Sequence, residues 1–258
     1  MLVKRRRQVN APRESRTPGR LVFGLHPVEE YLARSPEAFL ELWLASGPSR
    51  PRQELAREAT RLGVRLRHAA PAELDALAGS RHHQGAVAVL REFTYGDLED
   101  LARRRPELLI AADGIEDPRN LGALIRSAAA AGAGGLLVPR DRAAEITPAA
   151  EKAAAGATAI LPVARVVNLA RALDELHREH GYWAVALAHD AGRSLYEGEL
   201  PRPTVLVVGG EAGLRPLVRQ HCQVAVHIPM AAGVESLNVA VATAVAAFEL
   251  RRRAGAGP

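Results

Sequence analysis

Three short segments of this chain combine polar side chains and glycines in ways that can serve chemistry. The first, Asp113-Gly-Ile-Glu-Asp-Pro-Arg-Asn120, runs into a stretch with Leu121, Leu124 and Ile125 at helical spacing and Arg126 six residues past Asn120. Asn120 stands where an N-cap belongs. The second, Val207-Val-Gly-Gly-Glu-Ala-Gly-Leu-Arg-Pro216, places Gly209 and Glu211 after a buried apolar run. Glycines there let a ligand approach the backbone, and a carboxylate just before a helix complements its dipole. The third, Ile228-Pro-Met-Ala-Ala-Gly-Val-Glu-Ser-Leu-Asn238, puts Met230, Ser236, Leu237 and Asn238 at the entrance of the last helix. Every one of these polar residues also has an ordinary structural task open to it, as a cap or a solvated surface group. Neither GxGxxG nor GxxxxGK[ST] occurs, so a dinucleotide fingerprint and a phosphate loop are both excluded. Cys222 beside His221 shows no base-and-orienter arrangement, and no Cys/His cluster has the spacing of a zinc site.

The elements that must position these loops follow from periodicity. Short apolar runs at 108–112, 135–138, 160–163, 183–188, 204–208 and 224–228 have the length of buried strands. Helix-compatible segments lie between them at 120–131, 148–155, 169–180 and 214–220, and a last helix covers about 237–253. Alternating β and α with near-continuous apolar strands implies an α/β domain with a parallel sheet covered on both faces. Ligands bind beyond the carboxyl ends of such strands, where all three segments fall. Trp43 and Trp183 sit inside strands and are expected in the core.

A second, smaller α/β unit precedes this one, with helices expected at 27–34, 52–62 and 71–78 and strands at 40–45, 64–68 and 85–91. The expected division is a disordered basic arm at 1–20, a small domain at 21–92, a linker at 93–106 ending in Arg103-Arg104-Arg105-Pro106, and the large domain at 107–258. Residues 1–106 hold 19 Lys/Arg against 13 Asp/Glu, whereas residues 107–258 hold 15 against 16. The excess positive charge therefore lies in the first part, which suits a polyanion such as nucleic acid. His82, His83 and Gln84, at the edge of the small unit, are candidates for stacking on or hydrogen-bonding RNA. One cysteine rules out an intrachain disulfide framework and suits a reducing setting, and the near-apolar run 239–248 is half the length of a membrane span. A soluble, cytoplasmic protein without metal is expected.

In their order and separation the three segments, N-x-G-x(3)-R, strand-G-x-E and I-P-M-x(5)-S-L-N-V before a C-terminal helix, resemble the motifs of the SpoU/TrmH group of SPOUT RNA methyltransferases. Phe23-Gly-Leu-His-Pro-Val28 and His82-His-Gln-Gly-Ala86 extend the likeness to the ribosomal-protein-like RNA-binding domain of the branch that methylates a guanosine in large-subunit (23S) ribosomal RNA. The resemblance implies a C-terminal trefoil knot, a homodimer, S-adenosyl-L-methionine as cofactor and methylation of a ribose 2′-hydroxyl. It implies that Gly209, Ile228, Met230 and Leu237 contact the cofactor, and that Asn120, Arg126, Glu211, Ser236 and Asn238 form the polar site. Arg126 would fix a phosphate and steady the developing alkoxide, since a guanidinium is a poor base. In this chain the second motif is one residue shorter than the family usually writes it, and alanine follows Glu211. Methylation of tRNA, a resistance-type methylation of ribosomal RNA, and a non-catalytic RNA-binding assembly factor are the competing readings.

Overall fold

The computed structural model describes residues 19–234 and 236–255. The basic arm expected at 1–20 lies outside them except for Gly19 and Arg20, and Arg20 opens the first strand.

The small domain is built from β1 (Arg20–Phe23), α1 (Leu25–Arg34), β2 (Phe39–Ala45), α2 (Arg50–Arg61), β3 (Leu66–Ala69), α3 (Pro71–Ala78) and β4 (Ala86–Leu90). Its sheet has the order β1-β4-β2-β3, antiparallel except for the parallel β2/β3 pair. All five residues of β4 are buried because helices cover both faces of this central strand. Tyr31, Leu32, Leu42 and Leu90 fill one side, and Leu74 with Val87 the other.

The segment expected as a linker carries structure of its own. Leu98, Leu101 and Ala102 form the buried stripe of a short helix, α4 (Leu98–Arg103), capped by Asp97, whose carboxylate accepts from the Asp100 N–H at 2.8 Å. Gly96 bridges to Ala164 at the edge of the large sheet. The charged run 103–105 masks this helix in the sequence, since only three apolar residues mark it.

The large domain continues with β5 (Leu108–Asp113), α5 (Pro118–Ala130), β6 (Leu136–Pro139), α6 (Pro148–Ala154), β7 (Val163–Val166), α7 (Leu169–His180), β8 (Trp183–Leu187), β9 (Thr204–Gly209), α8 (Pro216–Gln220), β10 (Val224–Val226) and α9 (Val239–Arg253). The strands pair in parallel throughout, in the order β10-β8-β9-β5-β6-β7. One face packs on α5, α6 and α9, the other on α4, α7 and α8. The order reverses after β7, where the chain crosses to the far side of β5, and the loops after β5, β8, β9 and β10 converge there. The strand expected at 160–163 falls at 163–166, because Ala157–Ala159 form a 3₁₀ turn after α6. Trp183 leaves the core and is 38% exposed at the start of β8. Trp43 is half-buried, its indole N–H donating to Glu41 at 3.0 Å and its ring facing Arg67.

The two domains meet along a buried polar contact. Glu151 of α6, 2% exposed, accepts from Arg20, from the Tyr31 hydroxyl at 3.0 Å and from Thr158 at 2.5 Å. Arg20 also lies over the rings of Tyr31 and Phe93. A side chain at Gly156 would press on the Pro27 backbone at 3.0 Å, so the seam is tight.

Candidate active site

The site is assembled by β5, β9, β10 and the two helices that follow β5 and β10. Asp117, not Asn120, caps α5: its carboxylate accepts from the Arg119 N–H at 2.8 Å, and Pro118 occupies the first helical position. The Arg119 guanidinium beside it holds the Asp117 carboxyl below its ordinary range. Asn120 therefore lies within the first turn and its amide is free for another task. That task is a hydrogen bond from Asn238 Nδ2 to Asn120 Oδ1 at 2.9 Å. Asn238 caps α9, its Oδ1 accepting from the Ala240 N–H at 2.9 Å, so one amide closes a helix and reaches α5 at once.

The second loop is shaped by its glycines. A side chain on Gly209 would collide with Gly213 backbone atoms at 2.3 Å, and one on Gly210 with the Gly114 carbonyl at 2.2 Å. Gly213 adopts φ +76° and its N–H donates to the Gly210 carbonyl at 2.9 Å, closing a tight turn. The glycines thus serve backbone-to-backbone packing of loops one and two, a reason the sequence does not disclose. Glu211 stands exposed on this turn, five residues before α8, rather than at a helix start.

One residue quoted in the first loop without a role proves central. Asp113, fully buried at the end of β5, accepts from the Arg215 backbone N–H at 2.8 Å and from its guanidinium at 2.6 Å. This pair ties the second loop to the first. The only sequence signal was a carboxylate closing an apolar strand.

Between these loops lies an open cleft of about 920 Å³. Asn120, Glu211, Ser236 and Asn238 are among its polar groups, with His189 beside them, and Gly209, Ile228, Met230 and Leu237 also line it. Leu187, Val208, Leu214 and Val239 make the interior apolar, and Asp190 and Arg219, paired at 3.2 Å, close one rim. Arg126 stands apart from this lining. Six residues past Asn120, it is displaced by about 9 Å along the helix and two-thirds of a turn around it, exposed and without an ion pair or hydrogen bond among the described residues.

The three RNA candidates of the small domain separate. His83 is 5% exposed, with Nε2 on Asp75 at 2.9 Å and Nδ1 accepting from the Gly85 N–H at 2.9 Å, which fixes the turn into β4. Gln84, at φ +54°, accepts from the Leu25 N–H at 3.0 Å and anchors the start of α1. His82 remains with its imidazole exposed. Among the described residues no group of three or more His, Cys, Asp or Glu could hold a metal ion, and no helix is long and apolar enough to cross a membrane.

Residues 107–248 match the SpoU rRNA Methylase family, and residues 21–96 match the RNA 2′-O ribose methyltransferase substrate binding family. The chain belongs to the SpoU rRNA methylase family. It is 42% identical over 242 residues to the 23S rRNA (guanosine-2′-O-)-methyltransferase RlmB of Pseudomonas syringae pv. tomato, covering 91% of this chain and 96% of the relative. Against RlmB of Haemophilus influenzae the identity is 40% over 238 residues, covering 90% and 97%. Among solved structures, the SpoU methyltransferase AviRb from Streptomyces viridochromogenes in complex with the cofactor AdoMet superposes with a TM-score of 0.78 at 27% identity, over 92% of this chain and 91% of that one.

Proposed function

We propose that this protein transfers a methyl group from S-adenosylmethionine to the ribose 2′-hydroxyl of a guanosine in 23S ribosomal RNA. The observation that carries the reading is the cleft itself, where the Asn120–Asn238 pair, Glu211 and Ser236 converge beside an apolar, glycine-walled cavity. Its volume is in the range of small-molecule sites, and its mixture of exposed backbone, apolar side chains and few polar groups fits an adenosyl group with an amino-acid tail. Gly209, Ile228, Met230 and Leu237 would hold that cofactor, with the shortened second turn closed by Gly213. When bound, it supplies an electrophilic methyl carbon on a sulfonium leaving group.

The chain's residues then have to line up the ribose oxygen and offset the charge that grows as its proton departs. Asn120 and Asn238 orient groups at the cleft mouth, with Ser236 beside them. Arg126 holds a phosphate next to the reacting ribose and stabilises the alkoxide, while water takes the proton, because a guanidinium stays charged. Its distance from the cleft lining of its own chain suits a homodimer in which each site borrows from its neighbour. Val241 and Phe248, 49% and 47% exposed and seven residues apart on α9, offer an apolar face for that pairing. A trefoil knot formed by the C-terminal segment and a cytoplasmic place of work complete the reading. So does a division into an RNA-binding small domain and a catalytic domain.

The experiment is tritium transfer from labelled S-adenosylmethionine to unmodified ribosomal RNA and to tRNA separately, with nuclease mapping of the product. Alkali-resistant label at one 23S guanosine is the expected result. Label confined to tRNA, or bound cofactor with no transfer to either RNA, would overturn it.

A further inference from the structure

A second groove, of about 320 Å³, runs along the seam between the two domains, away from the cleft. Its small-domain wall carries Phe23, His26 and His82, and its large-domain wall is formed by the exposed Lys152 of α6 and by Ala155, the half-buried residue that follows that helix. Lys152 is one of two lysines in the chain, the other being Lys4. Its ammonium group lies 5.9 Å from the centre of the Phe23 ring, across the seam, and has no ion pair or hydrogen bond among the described residues. The neighbouring carboxylate, Glu151, faces inward and is neutralised by Arg20. The groove therefore presents an ammonium and two imidazoles beside an aromatic ring, with no uncompensated carboxylate among its lining residues.

Such a set suits the backbone of an unpaired nucleic-acid strand, which cations track while bases rest on aromatic rings. We infer that the seam groove holds a single-stranded segment of the substrate RNA, with one phosphate placed among Lys152, His26 and His82; this rests on the reading of the protein as an RNA methyltransferase. The location gives the contact its use. α5 and α6 touch backbone to backbone, since a side chain at Gly122 would lie 2.1 Å from the Ala150 carbonyl. Asn120 and Lys152 are each two residues from that contact, so a strand gripped at the seam is held on the same rigid helix pair that carries the cleft residue Asn120. The buried Arg20–Glu151–Tyr31 contact keeps the groove's walls in register.

The test measures binding of a fluorescent oligouridylate by the full chain and by Lys152→Glu, Lys152→Gln, Lys152→Arg and His26→Ala/His82→Ala variants across a salt series. Loss of the charge at 152 is expected to weaken binding about tenfold and to lower the slope of log affinity against log salt by about 0.7, the value for one phosphate contact on a single strand. Lys152→Arg is expected to keep the parental slope. With 23S ribosomal RNA as substrate, KM should rise while kcat at saturating RNA and the affinity for S-adenosylmethionine stay unchanged. Parental affinity and slope in Lys152→Glu, with methylation intact, would overturn the groove and leave the activity standing. Charge-dependent binding at Lys152 by a protein that methylates no RNA would overturn the activity and leave the groove. Uridine monophosphate displacing the oligomer at equal nucleotide concentration would assign the site to a free nucleotide instead.

Discussion

Asn238 donates its side-chain N–H to the carbonyl oxygen of Asn120 at 2.9 Å, across 118 residues of chain, while its own oxygen caps α9. The two tasks can be separated by substitution. Asp at 238 keeps the capping oxygen and removes the donor, whereas Ala removes both. Asn238→Asp is expected to unfold at the parental urea midpoint but to methylate about tenfold more slowly, as the loss of one orienting hydrogen bond of about 1.4 kcal/mol would require. Asn238→Ala is expected to show the same fall in rate and about 1 kcal/mol less stability. Equal activity of Asn238→Ala and the parent would mean that the pair does not orient the site, whereas activity kept by Asn238→Asp alone would mean that Asn120 turns its amide to donate to the carboxylate.

The tie between loops makes a second prediction. Arg215→Ala leaves the fully buried Asp113 carboxylate without its side-chain partner, and such losses cost about 3 kcal/mol. The loop carrying Gly209 and Glu211 is then free to leave its place against Gly114. A lowered urea midpoint together with weaker S-adenosylmethionine binding by calorimetry is expected. Unchanged cofactor affinity in a destabilised protein would confine the pair to a role in folding.

How much of this was legible in the sequence depends on how local each signal is. The bounds of α7 are plain in the sequence because Asn168 caps it, Leu169, Ala172, Leu173 and Leu176 make a periodic stripe, and Gly181 stops it at φ +76°. α3 was equally plain, with Pro71 at its first position and Gly79 after its end. α4 escaped because six residues between charged runs carry too little periodicity. Asn120 and Asp117 are equivalent cap candidates within one loop, and only the backbone decides that Asp117 caps α5. Asp113–Arg215 and Arg20–Glu151 pair residues 102 and 131 positions apart, beyond the reach of any local pattern. The co-location of the three motifs was accessible only through the family likeness and the rule that ligands sit beyond the strands' carboxyl ends. His83 reads as an exposed turn residue from its sequence neighbours; in the fold it is buried and its Nε2 pairs with Asp75, eight positions earlier on α3.

The seam contact yields a third prediction. Glu151→Ala strands the Arg20 guanidinium in a buried position and is expected to cost about 3–5 kcal/mol. Replacing both charges, as Arg20→Met with Glu151→Met, should recover most of that loss, since no buried charge remains unpaired. Because the network joins the domains, calorimetric unfolding of Glu151→Ala should split into two transitions where the parent shows one. A single transition at the parental temperature would mean that the domains cohere through their apolar contacts alone.

The Cys222 thiol donates to the Val218 carbonyl at 3.3 Å, and burial pushes its pKa up to about 12, an effect the nearby Arg219 only partly offsets. An unfolded cysteine titrates near 8.5. At pH 8 the folded thiol is therefore almost wholly protonated, while the unfolded one is about one-quarter thiolate, the reactive form. Below about pH 7 both states hold the proton and Cys222 adds no pH dependence. Between about 8.5 and 12 the unfolded chain releases a proton that the folded chain keeps, so stability declines as pH rises. Alkylation by iodoacetamide at pH 8 should accordingly be slow and should accelerate in step with urea unfolding followed by circular dichroism. Cys222→Ala should flatten the alkaline part of the stability profile. Rapid alkylation of the native protein would show that the thiol is reached without unfolding and that its burial does not govern its reactivity.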